Sequence, residues 1–143
     1  MRPCFATMPL ALALACTPPS AAPAPLRCPP GTAEMVRDAL YFGRSIPGGG
    51  VVSDSAWNAF LAEVVTPAFP DGFSILSGKG QWRGADGTIA SEEGFIFTVH
   101  HPEGDSGEAK VLQIAERYRV IFHQEAVLHE HAAVCAQFVT GKA

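Results

Sequence analysis

Five histidines, His100, His101, His123, His129 and His131, carry most of the chemistry available to this 143-residue chain. The run His129-Glu130-His131 is the most suggestive. On a β-strand, residues two apart share a face, so His129 and His131 point the same way. Two such imidazoles can ligate zinc or copper, but a tight site wants three or four ligands. The other histidines fall at different ends of the elements read below, so no metal and no cofactor is assigned. An imidazole, with an ordinary pKa of about 6.5, could also serve as a general base. The second candidate is Gln81-Trp82-Arg83, where an indole beside an amide and a guanidinium could stack on a ligand. Tyr41 alternates with Leu40 and Phe42, which sends its ring to the face opposite theirs. Leu128 and Val134 alternate with the histidines of the last strand and read as its core side. Tyr41, His129 and His131 are therefore expected together on the open face. Glu125 reads either as a partner of Arg44 at one end of the sheet or as a helix-exit residue with local hydrogen bonds only.

Nothing else in the chain carries a nucleophile, phosphate or dinucleotide signature. G-x-S-x-G, H-E-x-x-H, the P-loop and the dinucleotide fingerprint are all absent. Gly48-Gly49-Gly50 lacks the Lys and Ser/Thr of a phosphate loop and reads as a turn. The net charge is -4, with no basic stripe, which argues against nucleic acid as a partner. A hydrophobic fraction of 48% against 17% charged residues supports a packed core rather than disorder.

The four cysteines are Cys4, Cys16, Cys28 and Cys135. The first 30 residues hold eight of the 12 prolines, with Arg2 and Arg27 as their only charges. Arg2 and the short apolar stretch Phe5 to Ala15 form an export signal over residues 1–15. That stretch falls short of the ~20 apolar residues of a membrane span. Leu12-Ala13-Leu14-Ala15-Cys16 resembles a bacterial lipobox, which makes Cys16 the lipidated N-terminus on the periplasmic side of a membrane. Ordinary cleavage at a small-x-small site, giving a soluble periplasmic or secreted protein, is the alternative. Residues 16–35 form a Pro/Ala-rich tether. Cys28 and Cys135 are left as a pair in an exported chain and are expected to form a disulfide.

The elements that must position these groups lie in residues 36–138, read as a single α+β domain with a tail over 139–143. Strands are expected over Asp38 to Ser45, Phe73 to Arg83, Thr88 to His100 and Ala126 to Phe138, the second broken or bulged at Gly78 and Gly80. A first helix starts at Ser53 or Asp54, with the stripe Trp57, Phe60, Leu61 and Val64, and Pro67 ends or kinks it. A second helix opens on the acidic capping pair Asp105 and Glu108 and packs through Val111, Ala115, Tyr118 and Phe122. The order βαββαβ predicts a ferredoxin-like fold. Its four-stranded antiparallel sheet, in order 4-1-3-2, carries two helices on one face. That order places the end of strand four beside the start of strand one, and so Cys135 near Cys28.

Leu40-Tyr41-Phe42-Gly43, Gly80-Gln81-Trp82 and Gln124-Glu125-Ala126-Val127-Leu128 stand in the order found in the bacterial family of unknown function DUF3574. Ser53 to Trp57, Thr66-Pro67 and Phe69-Pro70-Asp71-Gly72 also resemble that family. Ala126 departs from it, since the family has a serine there. The resemblance covers residues 36–138 and implies an exported or lipoprotein domain with a cysteine before the first strand. It implies no activity.

The expectation is a lipid-anchored envelope domain, a non-catalytic binding module using its open sheet face for a small ligand, an envelope protein or a second copy of itself. The alternatives are a small enzyme with a histidine base, or a weak metal binder through His129 and His131. The anchor is directly testable. Cys16→Ser should move the protein from the membrane fraction to the soluble periplasm; a wild-type protein already soluble, with a different N-terminus, would exclude lipidation.

Overall fold

In the computed structural model, which describes residues 26–141, four strands and two helical segments alternate. The export signal, Cys16 and most of the tether lie outside the described residues. β1 (Ala33–Gly43) is followed by α1 (Asp54–Phe60), a π-helical turn (Leu61–Val65) and the last turn α2 (Thr66–Ala68). β2 (Ser74–Arg83), β3 (Ile89–His101), α3 (Asp105–Ile121) and β4 (Leu128–Ala136) complete the chain. The strands form one sheet in the order β2-β3-β1-β4, with every neighbouring pair antiparallel. This is the ferredoxin-like α+β architecture expected from the sequence. Among the described residues, no helix is long and apolar enough to cross a membrane.

The helices cover one face. Leu40 and Phe42 of β1 and Phe95, Phe97 and Val99 of β3 are buried against Trp57, Phe60, Val65, Val111, Ile114 and Tyr118. Aromatic rings dominate this core. Trp57 stacks on Phe95 at 4.3 Å between centroids, and Phe42 packs on Tyr118 at 4.5 Å. Such pairs add about 0.5–1.5 kcal/mol each beyond the area they bury. The buried Tyr118 hydroxyl donates to the Gly43 carbonyl at 2.8 Å, and burial pushes its pKa up, which keeps it a donor.

Local chemistry accounts for most element ends. Ser53 caps α1 by accepting from the Ala56 N–H. The following π turn adds a residue to one helical turn and rotates the register. Val65 is therefore fully buried, while Leu61 and Val64 of the expected stripe pack only partly against the core. Pro67 sits inside the last turn rather than ending the helix before it. α3 begins at Asp105 with Gly104 in the capping position, one residue earlier than the acidic capping pair implies. β1 begins at Ala33, within the stretch read as tether. β2 keeps an unbroken register through Gly78 and Gly80.

Cys28 and Cys135 are joined, with Cα atoms 5.4 Å apart and a sequence separation of 107. Cys135 lies opposite Glu34, so the bridge ties the chain leading into β1 to the end of β4. Loop-closure entropy assigns such a crosslink about 4–5 kcal/mol. Cys28→Ser or Cys135→Ser is expected to lower the melting temperature markedly. A reducing agent should do the same to the wild type and nothing further to either variant. Two free thiols on the mature protein would refute the bridge.

Candidate functional site

The first candidate site lies where the β2–β3 hairpin runs past the end of β1. Gly43, Gly94 and Gly78 stand opposite one another across β1, β3 and β2. This row of three glycines contributes no side chain of its own to the open face of the sheet. Two of them are close approaches that a side chain could not share. A Cβ on Gly94 would meet the Phe42 carbonyl oxygen at 2.7 Å, and one on Gly43 would meet the Glu92 carboxylate at 2.7 Å. Glu92 lies across Gly43 and accepts from the Ser45 N–H at 3.0 Å.

Above this floor is a pocket of about 410 Å³. Tyr41, Ile96 and Leu128 face it from one side, and Trp82, Gly80 and Gln81 from the hairpin. Gln124, Glu125 and Ala126, on the approach to β4, close a third side. Gln124 is buried and donates through Nε2 to the Ser45 and Phe122 carbonyls at 2.9 and 3.1 Å, which fixes that approach against the end of β1. Trp82 and Leu128 are about half exposed, at 48% and 57%. They are apolar surface held open rather than packed away. Three ionic groups line the pocket, Lys79, Glu92 and Glu125, for a formal balance of one negative charge. Tyr41 donates to Glu130, which also pairs with Arg37. The Glu130 hydrogen bond, with desolvation behind it, raises the Tyr41 pKa and keeps the ring neutral.

The second cluster sits on the helix-covered face near the opposite end of β1. Asp38 has no solvent exposure. Its Oδ1 accepts from His129 Nε2 and His131 Nδ1, both at 2.8 Å, and its Oδ2 from His101 Nε2 at 2.7 Å. Desolvation pushes the Asp38 pKa up, but the three imidazole hydrogen bonds outweigh it and hold the carboxyl below its ordinary value. His101 is fixed on several sides. Its Nδ1 faces the Pro102 carbonyl at 2.8 Å, its ring stacks near Phe69, and Gly107 in the first turn of α3 lies where a Cβ would overlap the imidazole. Both ring nitrogens of His101 face oxygen acceptors, Nδ1 the Pro102 carbonyl and Nε2 the Asp38 carboxylate.

The DUF3574 family model, described as a protein of unknown function, matches residues 37–138. This chain belongs to that family. No protein among the curated sequences matches it. Among solved structures, a phage SAM lyase in complex with S-methyl-5'-thioadenosine shares the fold at 14% identity and a TM-score of 0.57. That similarity covers 79% of this chain and 95% of the lyase. A phage SAM lyase in its apo state matches at 14% identity and a TM-score of 0.51, over 83% of this chain and 100% of the lyase.

Three of the segments that carry the DUF3574 resemblance, 40–43, 80–82 and 124–128, all contribute to the pocket. Of the residues expected on the open face, Tyr41 and Trp82 are there and Gln81 borders the same pocket. Arg83 is not among the lining residues; it donates to the Gly87 carbonyl in its own hairpin. His129 and His131 are on the other face. The register sets His129 opposite Leu40 and His131 opposite Asp38, both helix-side residues, while Leu128 lies opposite Tyr41. The alternation of β4 misleads because β4 is an edge strand whose helix-side positions serve a buried carboxylate. Glu125 accepts from the Ala85 N–H at 3.4 Å, whereas Arg44 bonds to the Val52 carbonyl and Asp54. His123, at φ 53°, terminates α3 in the left-handed conformation typical of a helix exit.

Asp38 itself had a sequence signal, a single carboxylate among the helix-facing apolar residues Val36, Leu40 and Phe42. Because its folded pKa is depressed, it stabilises the fold in full above its ordinary value of 3.8. That contribution is lost as pH falls through the lower folded value. Asp38→Asn is therefore expected to melt well below wild type at neutral pH, with the gap narrowing progressively as pH falls below 3.8. Thermal melts across that range test this, and a gap independent of pH would refute it.

Proposed function

We propose that the open-face pocket is a binding site for a small organic ligand bearing a flat ring and hydrogen-bond donors, neutral or cationic overall. The observation that carries this is the pairing of aromatic surface, Trp82 and Tyr41, with a floor over Gly94 and Gly78 that has no side chain of its own, bordered by the Glu92 carboxylate over Gly43. A ring can lie flat on such a floor and stack against the indole. Glu92, Glu125 and Gln124 supply acceptors at the rim, and the excess of carboxylate over Lys79 disfavours anions. A volume of about 410 Å³ falls in the usual range for small-molecule sites, about 300–1,000 Å³. None of the five histidines lines the pocket, so binding rather than histidine-based acid–base catalysis is the reading favoured here. The Cys28–Cys135 bridge is compatible with an oxidising compartment. In this proposal the lipid on Cys16 holds the pocket at the periplasmic side of a membrane.

The phage SAM lyase with this fold is a complex with S-methyl-5'-thioadenosine, which makes that compound and other nucleosides a rational first panel, alongside aromatic amines. Trp82→Ala is expected to weaken binding by about 1–3 kcal/mol, the usual worth of a base–aromatic stack, or about 5- to 150-fold. Gly78→Val should block the pocket with little loss of stability, because a Cβ there meets only Ile96, at 3.9 Å. Calorimetric titration of wild type and both variants decides the matter. No binding anywhere in the panel below millimolar concentration, or equal affinity in all three proteins, would overturn the reading.

A further inference from the structure

Three imidazole nitrogens converge on one carboxylate with no solvent exposure, and two of them meet the same oxygen. We propose that Asp38, His129 and His131 form a binding site for a divalent transition-metal ion of the zinc class, with His101 orienting the carboxylate. His101 alone occupies Oδ2, from a position locked by Gly107. His129 Nε2 and His131 Nδ1 are both aimed at Oδ1 from adjacent same-face positions of β4. Two donor protons crowding a single oxygen are what one cation can replace. An ion there takes Oδ1 and the two nitrogens as ligands, and both imidazoles give up the protons that now point at Asp38.

The geometry requires little movement. The three ligand atoms lie within 4.8 Å of one another. Tetrahedral ligands bound at about 2.0–2.1 Å stand roughly 3.3 Å apart, so each contact opens by about half an ångström from its present 2.8 Å. Small χ rotations supply that. Oδ2 keeps its hydrogen bond to His101, which in turn holds the Pro102 carbonyl. A carboxylate ligand braced through its second oxygen is the usual support of a metal site. The backbone is held too, because the disulfide ends at Cys135, four residues beyond His131, and pins β4 to β1.

The donor set fixes the class of ion. Two imidazoles and one carboxylate suit zinc and its neighbours in the first transition row, not calcium or magnesium, which want oxygen ligands. Exposure grades from Asp38 at 0% to the His131 side chain at 45%, so the cluster opens to solvent on the His131 side. The site lies on the face opposite the Trp82 pocket, and neither reading depends on the other.

Zinc alone is the probe, titrated into the mature, disulfide-bonded protein carrying Cys16→Ser so that no free thiol competes. One zinc per chain is expected, with magnesium and calcium failing to displace it. His129→Gln and His131→Gln should each weaken binding at least tenfold, while Trp82→Ala leaves it unchanged. Both histidine positions are partly exposed, so the variants should keep the disulfide and the far-ultraviolet dichroism of the wild type. If either does not fold, the cobalt-loaded wild type decides: imidazole-ligated tetrahedral bands support the site, and their absence overturns it. Failure to bind zinc at one equivalent, or a loss below tenfold in either folded variant, also overturns it.

Discussion

A carboxylate with no access to water sits in the central part of the sheet, and much of the surrounding structure is arranged to satisfy it. Asp38 occupies a helix-facing position of β1, in line with Val36, Leu40 and Phe42. An unpartnered charge there would cost several kcal/mol. Its partners come from both neighbouring strands. β4 supplies His129 and His131, and the last residue of β3 supplies His101. Each requirement propagates. His101 must be flat against the first turn of α3, so that turn carries Gly107. The histidines of β4 must stand opposite Leu40 and Asp38, so the β1–β4 register cannot slip by even one residue without turning them away. The disulfide at the far end of the same strand pair holds that register mechanically.

This constraint also explains which parts of the molecule the sequence discloses. Element order, sheet topology and the Cys28–Cys135 pairing are legible, because they follow from periodicity, turn residues and cysteine arithmetic. Those signals are local or few in number. The facing of β4 is not legible. Its apolar residues Leu128 and Val134 point to the open side, and its two histidines turn inward to a charge that a pattern of alternation treats as a strand end. The π turn after Phe60 is invisible for a related reason. It changes the helical phase by one residue within an otherwise regular stripe, so Val65 replaces Val64 in the core. The pocket is half legible. Tyr41 and Trp82 announce themselves as aromatics flanked by polar residues. Gly43, Gly78 and Gly94 reveal their alignment only once three strands are in register.

The two faces of the sheet are thereby given different work by one strand. Successive residues of β1 alternate between them. Asp38, Leu40 and Phe42 go to the core and its ionic cluster, whereas Arg37 and Tyr41 go to the open side. On the open side Glu130, flanked by the two histidines in sequence, joins Arg37 and Tyr41. The run His129-Glu130-His131 thus serves two polar networks separated by the thickness of a sheet. A substitution at Glu130 acts on the pocket side through Tyr41, and one at His129 or His131 acts on Asp38.

Where the sheet can be rigid and where it must yield also follows from composition. Near Asp38 the strands are crosslinked by hydrogen-bonded side chains and a disulfide. Near Gly43 the glycine row removes cross-strand side-chain packing from the open face, and the β2–β3 hairpin continues past the end of β1, held by its own ladder and by the Glu125 carboxylate at the Ala85 N–H. Glycine in a strand weakens it and marks a place where something approaches the backbone closely. Here Glu92 and the Phe42 carbonyl account for two of the three glycines, at Gly43 and Gly94. Gly78 meets only Ile96 at ordinary contact distance, so neither close packing nor backbone conformation demands a glycine there. Its effect is to keep the floor beneath Trp82 clear, which is the property a stacking ligand requires.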